Sequence, residues 1–369
     1  MEKIKRRDFL KKASAATVAG GALVAGCGQQ QGSAPLVKSS QTYEWKMVTT
    51  WPPTLPILQD SAKLVAKWVE EMSEGRMKIT VYGGGELIPS LEVFEAVTQG
   101  VAEMGHGASY YWAGKAPAAQ FFGAVPFGMN AQQMISWLYS GGGLQLWEEL
   151  YAPLNLVPMP VGNTGPQMGG WFKREINSPS DLQGLKMRIP GLGGDVMAKL
   201  GASPVSLPGG QIYENLMSGA IDATEWVGPW NDGFMKFYEA AKYYYYPGMH
   251  EPGSMLSFGW NKSFWDSLSA SDQLLITSVA ALENDLMMSE YNYNNGVSLE
   301  KLINEQGVQL RAFNDDVYDS FGEAAAEVFE EVRAHSDLTN RVHESFEATR
   351  AAVGGWAKIA DVAYLAQRN

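Results

Sequence analysis

The amino-acid sequence predicts an α/β fold of two lobes that close as a clamshell, followed by a long helical extension at the C-terminus. Strand-like and helix-like segments alternate with short joins from residue 43 onwards, which is typical of a parallel α/β sheet. A helix–glycine–strand unit occurs twice, at residues 93–103 and 212–222. From residue 271 onwards the apolar residues recur mainly with a helical period. Each lobe is therefore expected to hold one copy of the same α/β unit.

The first strand, helix and second strand follow one another directly. Residues 43–50 alternate bulky and polar side chains, as a half-buried strand does. Residues 58–74 repeat apolar side chains every three to four positions, and Gly75 ends the predicted helix. Residues 77–82 then predict the second strand, which runs into three glycines.

The repeated unit is VFEAVTQGVAE at residues 93–103 and IYENLMSGAID at residues 212–222. The two segments align without gaps, and each predicts a short helix, a glycine directly after it and a buried strand. Continuing the alignment places His106 opposite Glu225, just beyond the end of each strand, where open α/β sheets bind ligands. Chance similarity over so short a segment is the alternative interpretation.

The N-terminus predicts an export signal over residues 1–26. It begins with basic residues that include the pair Arg6 and Arg7, the twin-arginine form, and continues into a weakly apolar run that is too short to span a membrane. The run ends in VAGC, which resembles a lipobox, so Cys27 is expected to be lipidated. Residues 27–42 would then form a flexible tether, and the mature protein would lie in the periplasm.

We assign residues 43–160 mainly to the first lobe and 161–260 mainly to the second. Residues 261–369 are predicted to form helical segments that pack on both lobes. Four large apolar residues interrupt a mostly polar stretch near the C-terminus: Phe346, Val353, Trp356 and Leu365. They pack either on their own chain or, from a protruding helix, against a second copy in a homodimer, and the sequence leaves both interpretations open.

Charge and motifs exclude several function classes. The formal charge is −12, and removing the net +4 of residues 1–26 leaves −16 for the rest. An acidic surface without basic clusters does not suit nucleic acid. The sequence has no phosphate-binding loop, no His-Glu-x-x-His pair and no Gly-x-Ser-x-Gly elbow. One Cys and four scattered His do not favour a thiolate or imidazole metal site. The protein is therefore expected not to be an enzyme.

Residues 178–188, SPSDLQGLKMR, resemble a motif of the solute-binding subunits of tripartite ATP-independent periplasmic (TRAP) transporters. The resemblance covers nearly all of residues 43–369. Three further segments are similar to the branch that binds pyruvate and other 2-oxo acids, or lactate, together with a metal ion: PQMGGWF at 166–172, EWVGP at 225–229 and YYYYPG at 243–248. The resemblance implies a two-lobed periplasmic binding protein fold and, as partners, the membrane subunits of the transporter.

The resemblance also implies the residues of the site. Arg188 would bind the ligand carboxylate through two parallel hydrogen bonds, which a Lys cannot make; the alternative is an Arg paired with a nearby acid. By resemblance, Glu225 and Gln167 would provide side-chain oxygens to the ion and contact the substrate. Trp226 would provide its backbone carbonyl and Glu251 a further carboxylate. These hard oxygen donors suit Na⁺ or Ca²⁺.

Tyr110, Tyr111 and Trp112 follow the strand of the first copy and are expected to wall the cleft from the first lobe, although packing in the core is the commoner fate of such rings. Other ligands stay open, namely a sugar acid, a polyol or a dicarboxylate. A different class of function also stays open, in which Glu225 and Glu251 act as the acid and base of a periplasmic lyase or glycosidase.

Overall fold

Two mixed β-sheets organise residues 41–368, the part of the chain that this computed structural model describes. The predicted export signal, Cys27 and nearly all of the tether lie outside these residues and stay predictions. The first sheet has the strand order β2–β1–β3–β10–β4 and the second the order β11–β9–β5–β8–β6–β7. The strands are β1 (Tyr43–Thr49), β2 (Met77–Tyr82), β3 (Met104–Ala108), β4 (Leu156–Asn163), β5 (Gly170–Phe172), β6 (Lys186–Arg188), β7 (Ser203–Val205), β8 (Ala223–Thr224), β9 (Tyr243–Tyr246), β10 (Met255–Asn261) and β11 (Gln309–Ala312).

Helices cover both sheets and form the C-terminal extension that the sequence predicts. Short 3-10 turns occur at Ser109–Trp112, Pro117–Phe122, Ala152–Leu154 and Pro179–Leu182, and a π-helical turn at Lys358–Val362. The α-helices are α1 (Leu58–Met72), α2 (Val93–Thr98), α3 (Ala131–Ser140), α4 (Gly143–Tyr151), α5 (Gly191–Lys199), α6 (Gly209–Ser218), α7 (Pro229–Phe234), α8 (Phe237–Ala240), α9 (Lys262–Trp265), α10 (Ala270–Gln306), α11 (Asp315–Arg333), α12 (Asp337–Ala357) and α13 (Ala363–Gln367). Within residues 41–368, no helix combines the length and the apolar character needed to cross a bilayer.

The repeated unit divides between the sheets as the sequence predicts. One copy consists of α2 and β3 in the first sheet, and the other of α6 and β8 in the second. Gly100 and Gly219 follow the two helices with φ of 74° and 80°, a left-handed conformation that favours glycine. Glu225 lies directly after β8 as expected, whereas His106 lies inside β3 because that strand runs on to Ala108.

The segment 161–260, which is expected to lie mainly in the second lobe, contains near its end a strand that returns to the first sheet. β10 inserts into the first sheet antiparallel to both β3 and β4. The chain therefore crosses between the sheets three times: through the short segments 164–169 before β5 and 247–254 before β10, and through α9 and α10 before β11. Pairing between strands so far apart in the chain leaves no local signal in the sequence.

Apolar clusters join the lobes, and one of them lies at the cleft. Trp51 and Leu58 of the first lobe pack in it with Ile212 and Trp226 of the second. Such burial of apolar area holds the two sheets close, so side chains at their strand ends lie within reach of one another.

Of the four large apolar residues near the C-terminus, two pack on their own chain and two are exposed. Phe346 is buried among Phe121 and Trp137, and Val353 packs on the same core. Trp356 and Leu365 are 69% and 53% exposed.

Candidate functional site

The two short crossover segments hydrogen-bond to each other and bring two predicted ion ligands together. The Gln167 N–H donates to the Glu251 carbonyl at 3.0 Å, and the Gly248 N–H donates to the Gln167 carbonyl at 3.2 Å. The Gln167 side-chain amide then donates to Glu251 Oε2 at 2.7 Å and to Thr164 Oγ1 at 3.1 Å. Residues that are 84 positions apart therefore share one buried point.

Arg188 and Glu225 meet because their strands are parallel neighbours. β6 and β8 align Arg188 with Thr224, and the Glu225 N–H donates to the Arg188 carbonyl at 3.1 Å. The guanidinium forms a buried ion pair with the Glu225 carboxylate. It also donates to the Leu207 carbonyl at 3.2 Å, and the Trp226 ring centre lies 5.0 Å away. Burial lowers the pKa of Arg188, but Glu225 together with Tyr111 and Tyr110 outweighs this effect, and the net shift raises the pKa.

Three ionisable side chains surround a point where a cation can bind. Ligand atoms of Glu225, His250 and Glu251 lie within 4.8 Å of one another, and all three side chains are buried. Burial, and then repulsion from Glu225, raises the pKa of Glu251 to about 7. Burial lowers the pKa of His250, but its contact with Glu225 at 3.3 Å, together with the charges of Glu225 and Glu251, more than offsets this and the pKa is raised. Two buried carboxylates beside one Arg favour a bound cation.

Sequence reasoning missed His250 in this cluster, since an imidazole there was not expected. Its place beside Glu251 was visible, but nothing in the spacing of a lone His predicts that it faces Glu225.

Unsatisfied polar atoms test whether an oxygen-binding ion fits. Among the residues that the structure describes, the buried Gln167 Oε1 has no hydrogen-bond partner. Buried polar atoms almost always have a hydrogen-bond partner, so this oxygen is available to bind an ion. Together with the carboxylates of Glu225 and Glu251 it forms a hard oxygen set of the kind that Na⁺ and Ca²⁺ prefer. The residues present therefore fit the ion that the resemblance implies.

A small cavity of about 220 Å³ lies between the lobes beside these groups. The Tyr111 hydroxyl lies 3.2 Å from the Arg188 guanidinium and links the cavity wall to the charged cluster. Trp51, which sequence reasoning missed, also faces the cavity; only the fold shows that the loop after β1 reaches it. The lining residues are Trp51, Leu58, Tyr110, Tyr111, Thr164, Gln167, Trp226, Val227, Ser254 and Leu256.

Trp112 does not face the cavity, contrary to its expected place in the cleft wall. Residues Ser109–Trp112 form a 3-10 turn and not a strand, so successive side chains point in different directions. The Trp112 indole N–H donates to the Tyr151 hydroxyl at 2.6 Å, and its ring stacks on Phe94 in the core of the first lobe.

Comparison with known proteins identifies the class of molecule. Residues 47–335 match the model of the bacterial extracellular solute-binding protein family 7, DctP. The chain belongs to this family. Its role is solute binding outside the cytoplasm and not catalysis, which removes the lyase or glycosidase alternative. The resemblance to TRAP solute-binding proteins is also confirmed.

Individual relatives of this DctP protein carry ligand names. It is 42% identical to a monocarboxylate 2-oxoacid-binding periplasmic protein of Nostoc sp., over 98% of both chains. Two crystal structures of TRAP solute-binding proteins each superpose with a TM-score of 0.86 at 41% identity and cover 89% of this chain and all of their own. That from Pseudoalteromonas atlantica holds sodium and pyruvate, and that from Colwellia psychrerythraea holds calcium and pyruvate.

Proposed function

We propose that the protein is the periplasmic binding subunit of a TRAP transporter and binds a small 2-oxo or 2-hydroxy monocarboxylate, such as pyruvate or lactate, together with Na⁺ or Ca²⁺. The observation that carries this proposal is the buried cluster in which the Arg188–Glu225 ion pair, Glu251 and Gln167 meet. This cluster adjoins the small cavity between the lobes, which Gln167 and Tyr111 line. The named relatives support the same class of ligand.

Each group has a separate task in this proposal. The guanidinium of Arg188 and the hydroxyl of Tyr111 bind the ligand carboxylate, which is a charge-assisted interaction. The oxygens of Gln167, Glu225 and Glu251 and the carbonyl of Trp226 hold the ion. A 2-oxo or 2-hydroxy acid suits such a site because its carboxylate and the adjacent oxygen can both bind one cation.

The charge of the site favours a monocarboxylate. Among residues 41–368, Arg188 is the only fully buried Arg or Lys, so a second carboxylate would lack a cation of its own. Dicarboxylates are therefore disfavoured.

The charge balance bears on the choice of ion. Glu225, Glu251 and the ligand bring three negative charges and Arg188 one positive charge. A neutral His250 leaves a site that Ca²⁺ neutralises, whereas a protonated His250 leaves a site that Na⁺ neutralises. Uncompensated buried charge is costly, so the protonation of His250 and the ion are linked.

Calorimetric titration with pyruvate, lactate, a dicarboxylate and a sugar acid tests the function, before and after complete removal of metal. We expect tight binding of the monocarboxylates only, and loss of that binding in the stripped protein until Na⁺ or Ca²⁺ is restored. Unchanged pyruvate affinity after stripping would contradict the ion-bridged mode, and preferred binding of another acid would contradict the ligand class.

We further propose that the C-terminal helix forms a homodimer. Its five large apolar residues, Trp356, Ile359, Val362, Tyr364 and Leu365, are all more than half exposed, which is unusual for a monomer. Replacing Trp356 and Ile359 by Ser should convert a dimer to a monomer in sedimentation experiments. A wild-type protein that sediments as a monomer would refute this assembly.

Anchoring through Cys27 is a separate proposal. We expect the mature protein to begin at a lipidated Cys27, so it should fractionate with membranes, and Cys27→Ala should release it. Mass spectrometry of the mature N-terminus gives the direct measurement, and an unmodified terminus would refute lipidation.

A further inference from the structure

Asp232 is a buried carboxylate that lies outside the ligand cavity. It is 1% exposed and occupies the first turn of α7. Its Oδ1 accepts the backbone N–H groups of Val227 and Gly228, each at 3.1 Å. Its Oδ2 accepts the indole N–H of Trp171 at 2.9 Å and the hydroxyl of Tyr244 at 2.7 Å. All four of these donors are neutral.

Removing a carboxylate from water is unfavourable, and here only hydrogen bonds from neutral donors offset that cost. Such a buried carboxylate is better explained by a specific role than by stability alone. Oδ1 binds two consecutive N–H groups of the segment that directly follows the proposed ion ligands Glu225 and Trp226. That segment is also fixed from other directions, since the Met168 N–H donates to the Val227 carbonyl at 3.1 Å and the Trp230 N–H to Asn295 Oδ1 at 3.0 Å.

The other carboxylate oxygen is anchored in the middle of the second sheet. Trp171 and Tyr244 are paired residues of the adjacent strands β5 and β9, and their rings stack at 4.0 Å. Asp232 thus connects a rigid part of the sheet to the loop that carries Glu225 and Trp226. No other side chain of the described residues accepts hydrogen bonds from both Val227 and Gly228.

We propose that Asp232 is a positioning residue, which holds the 225–228 segment so that the Glu225 carboxylate and the Trp226 carbonyl are set for the ion. This inference rests on the proposed function. Groups that orient metal ligands typically contribute about 10- to 100-fold to metal affinity. Asp232 has this effect without touching the ion or the acid.

The test compares Asp232→Ala with two matched variants. Asp232→Asn keeps an oxygen for the Val227 and Gly228 N–H groups, and Tyr244→Phe removes one donor on the sheet side only. Calcium is titrated calorimetrically into metal-free protein at saturating pyruvate, and the free energy of unfolding is measured in urea without calcium. We expect Asp232→Ala to lose about 10- to 100-fold in calcium affinity. Asp232→Asn should restore most of that loss, while Tyr244→Phe should lower stability and leave calcium affinity within about threefold of wild type.

Two results would overturn the inference: wild-type calcium affinity in Asp232→Ala, or calcium losses that simply follow the loss of stability across all three variants. Should Asp232→Ala fail to fold, Asp232→Glu decides, because its longer side chain displaces the segment while keeping the carboxylate. We expect at least a tenfold loss of calcium affinity there, and wild-type affinity would refute the role. A wild-type protein that binds neither pyruvate nor calcium would instead refute the proposed function.

Discussion

The two lobes meet at the cavity with contrasting chemistry. The strand ends of the first sheet contribute neutral aromatic groups, Trp51 after β1 and Tyr110 and Tyr111 after β3. The strand ends of the second sheet contribute the charges, Arg188 on β6 and Glu225 after β8. In the proposed function, the second lobe would hold the anion and its counter-ion, and the aromatic groups of the first lobe would cover them and exclude water.

Equivalent positions of the repeated unit show the same contrast. His106 in the first copy corresponds to Glu225 in the second. Burial lowers the pKa of His106 to about 4, so it is neutral at physiological pH. Its Nδ1 accepts the Trp51 indole N–H at 3.0 Å, and its Nε2 lies 3.3 Å from the Val161 carbonyl. His106 therefore positions an aromatic wall where Glu225 provides charge, so a shared backbone unit does not imply a shared role.

Removal of the negative charge of Glu225 from the second lobe should have the largest effect on stability and on calcium binding. Glu225→Gln leaves Arg188 buried without its ion-pair partner and removes a carboxylate from the proposed ion site. Breaking a buried pair costs about 3–5 kcal/mol. We expect a loss of that order in unfolding free energy without ligand, and loss of calcium binding by calorimetry. Unchanged calcium binding would show that Glu225 only balances Arg188.

A carboxylate of the first lobe, away from the cavity, provides the contrasting case. Glu283 on α10 is buried against Ser61, and burial raises its pKa from 4.5 to about 7. The folded state favours the protonated form of Glu283. The contribution of this group to the free energy of unfolding is therefore complete below pH 4.5 and is lost as pH rises to about 7. The shift corresponds to at most about 3 kcal/mol.

Glu283→Gln cannot ionise and should abolish this part of the pH dependence. Urea unfolding at pH 5 and pH 8 measures this dependence. We expect the stability of the variant relative to wild type to be higher at pH 8 than at pH 5, with pyruvate affinity unchanged. Parallel pH profiles of the two proteins would contradict the assignment, and a change in pyruvate affinity would show that this carboxylate is coupled to the cavity.

Replacement of Arg188, the side chain proposed to bind the ligand carboxylate, should have a smaller but measurable effect on ligand affinity. Arg188→Lys keeps the charge but loses the planar fork and the bonds to Leu207 and Tyr111. We expect pyruvate affinity to fall by about tenfold or more. Near-wild-type affinity in the calorimeter would mean that Arg188 only braces Glu225.

The smallest effect should come from the aromatic wall. Tyr111→Phe removes one neutral hydroxyl from beside Arg188, which corresponds to about 1 kcal/mol or fivefold in pyruvate affinity. Tyr151→Phe is the matched control, because that hydroxyl bonds Trp112 in the core and should affect stability alone. Equal effects of the two variants on affinity would remove the contrast between wall and core.

Local patterns in the sequence determined the elements and one half of the site. The period of 58–74 predicts α1, and a glycine after each copy of the repeat predicts where α2 and α6 end, because these depend on backbone conformation and short-range packing. The resemblance at residues 178–188 indicated Arg188, which the fold then places beside Glu225.

Only the tertiary structure decided which side chains meet. The return of β10 to the first sheet, the approach of His250 to Glu225 and the turn that buries Trp112 all depend on contacts between residues distant in the chain. The hydrogen bonds of Asp232 also depend on such contacts, since its partners come from three separate segments. Such contacts are set by the packing of whole sheets, and periodicity along one segment carries no information about them.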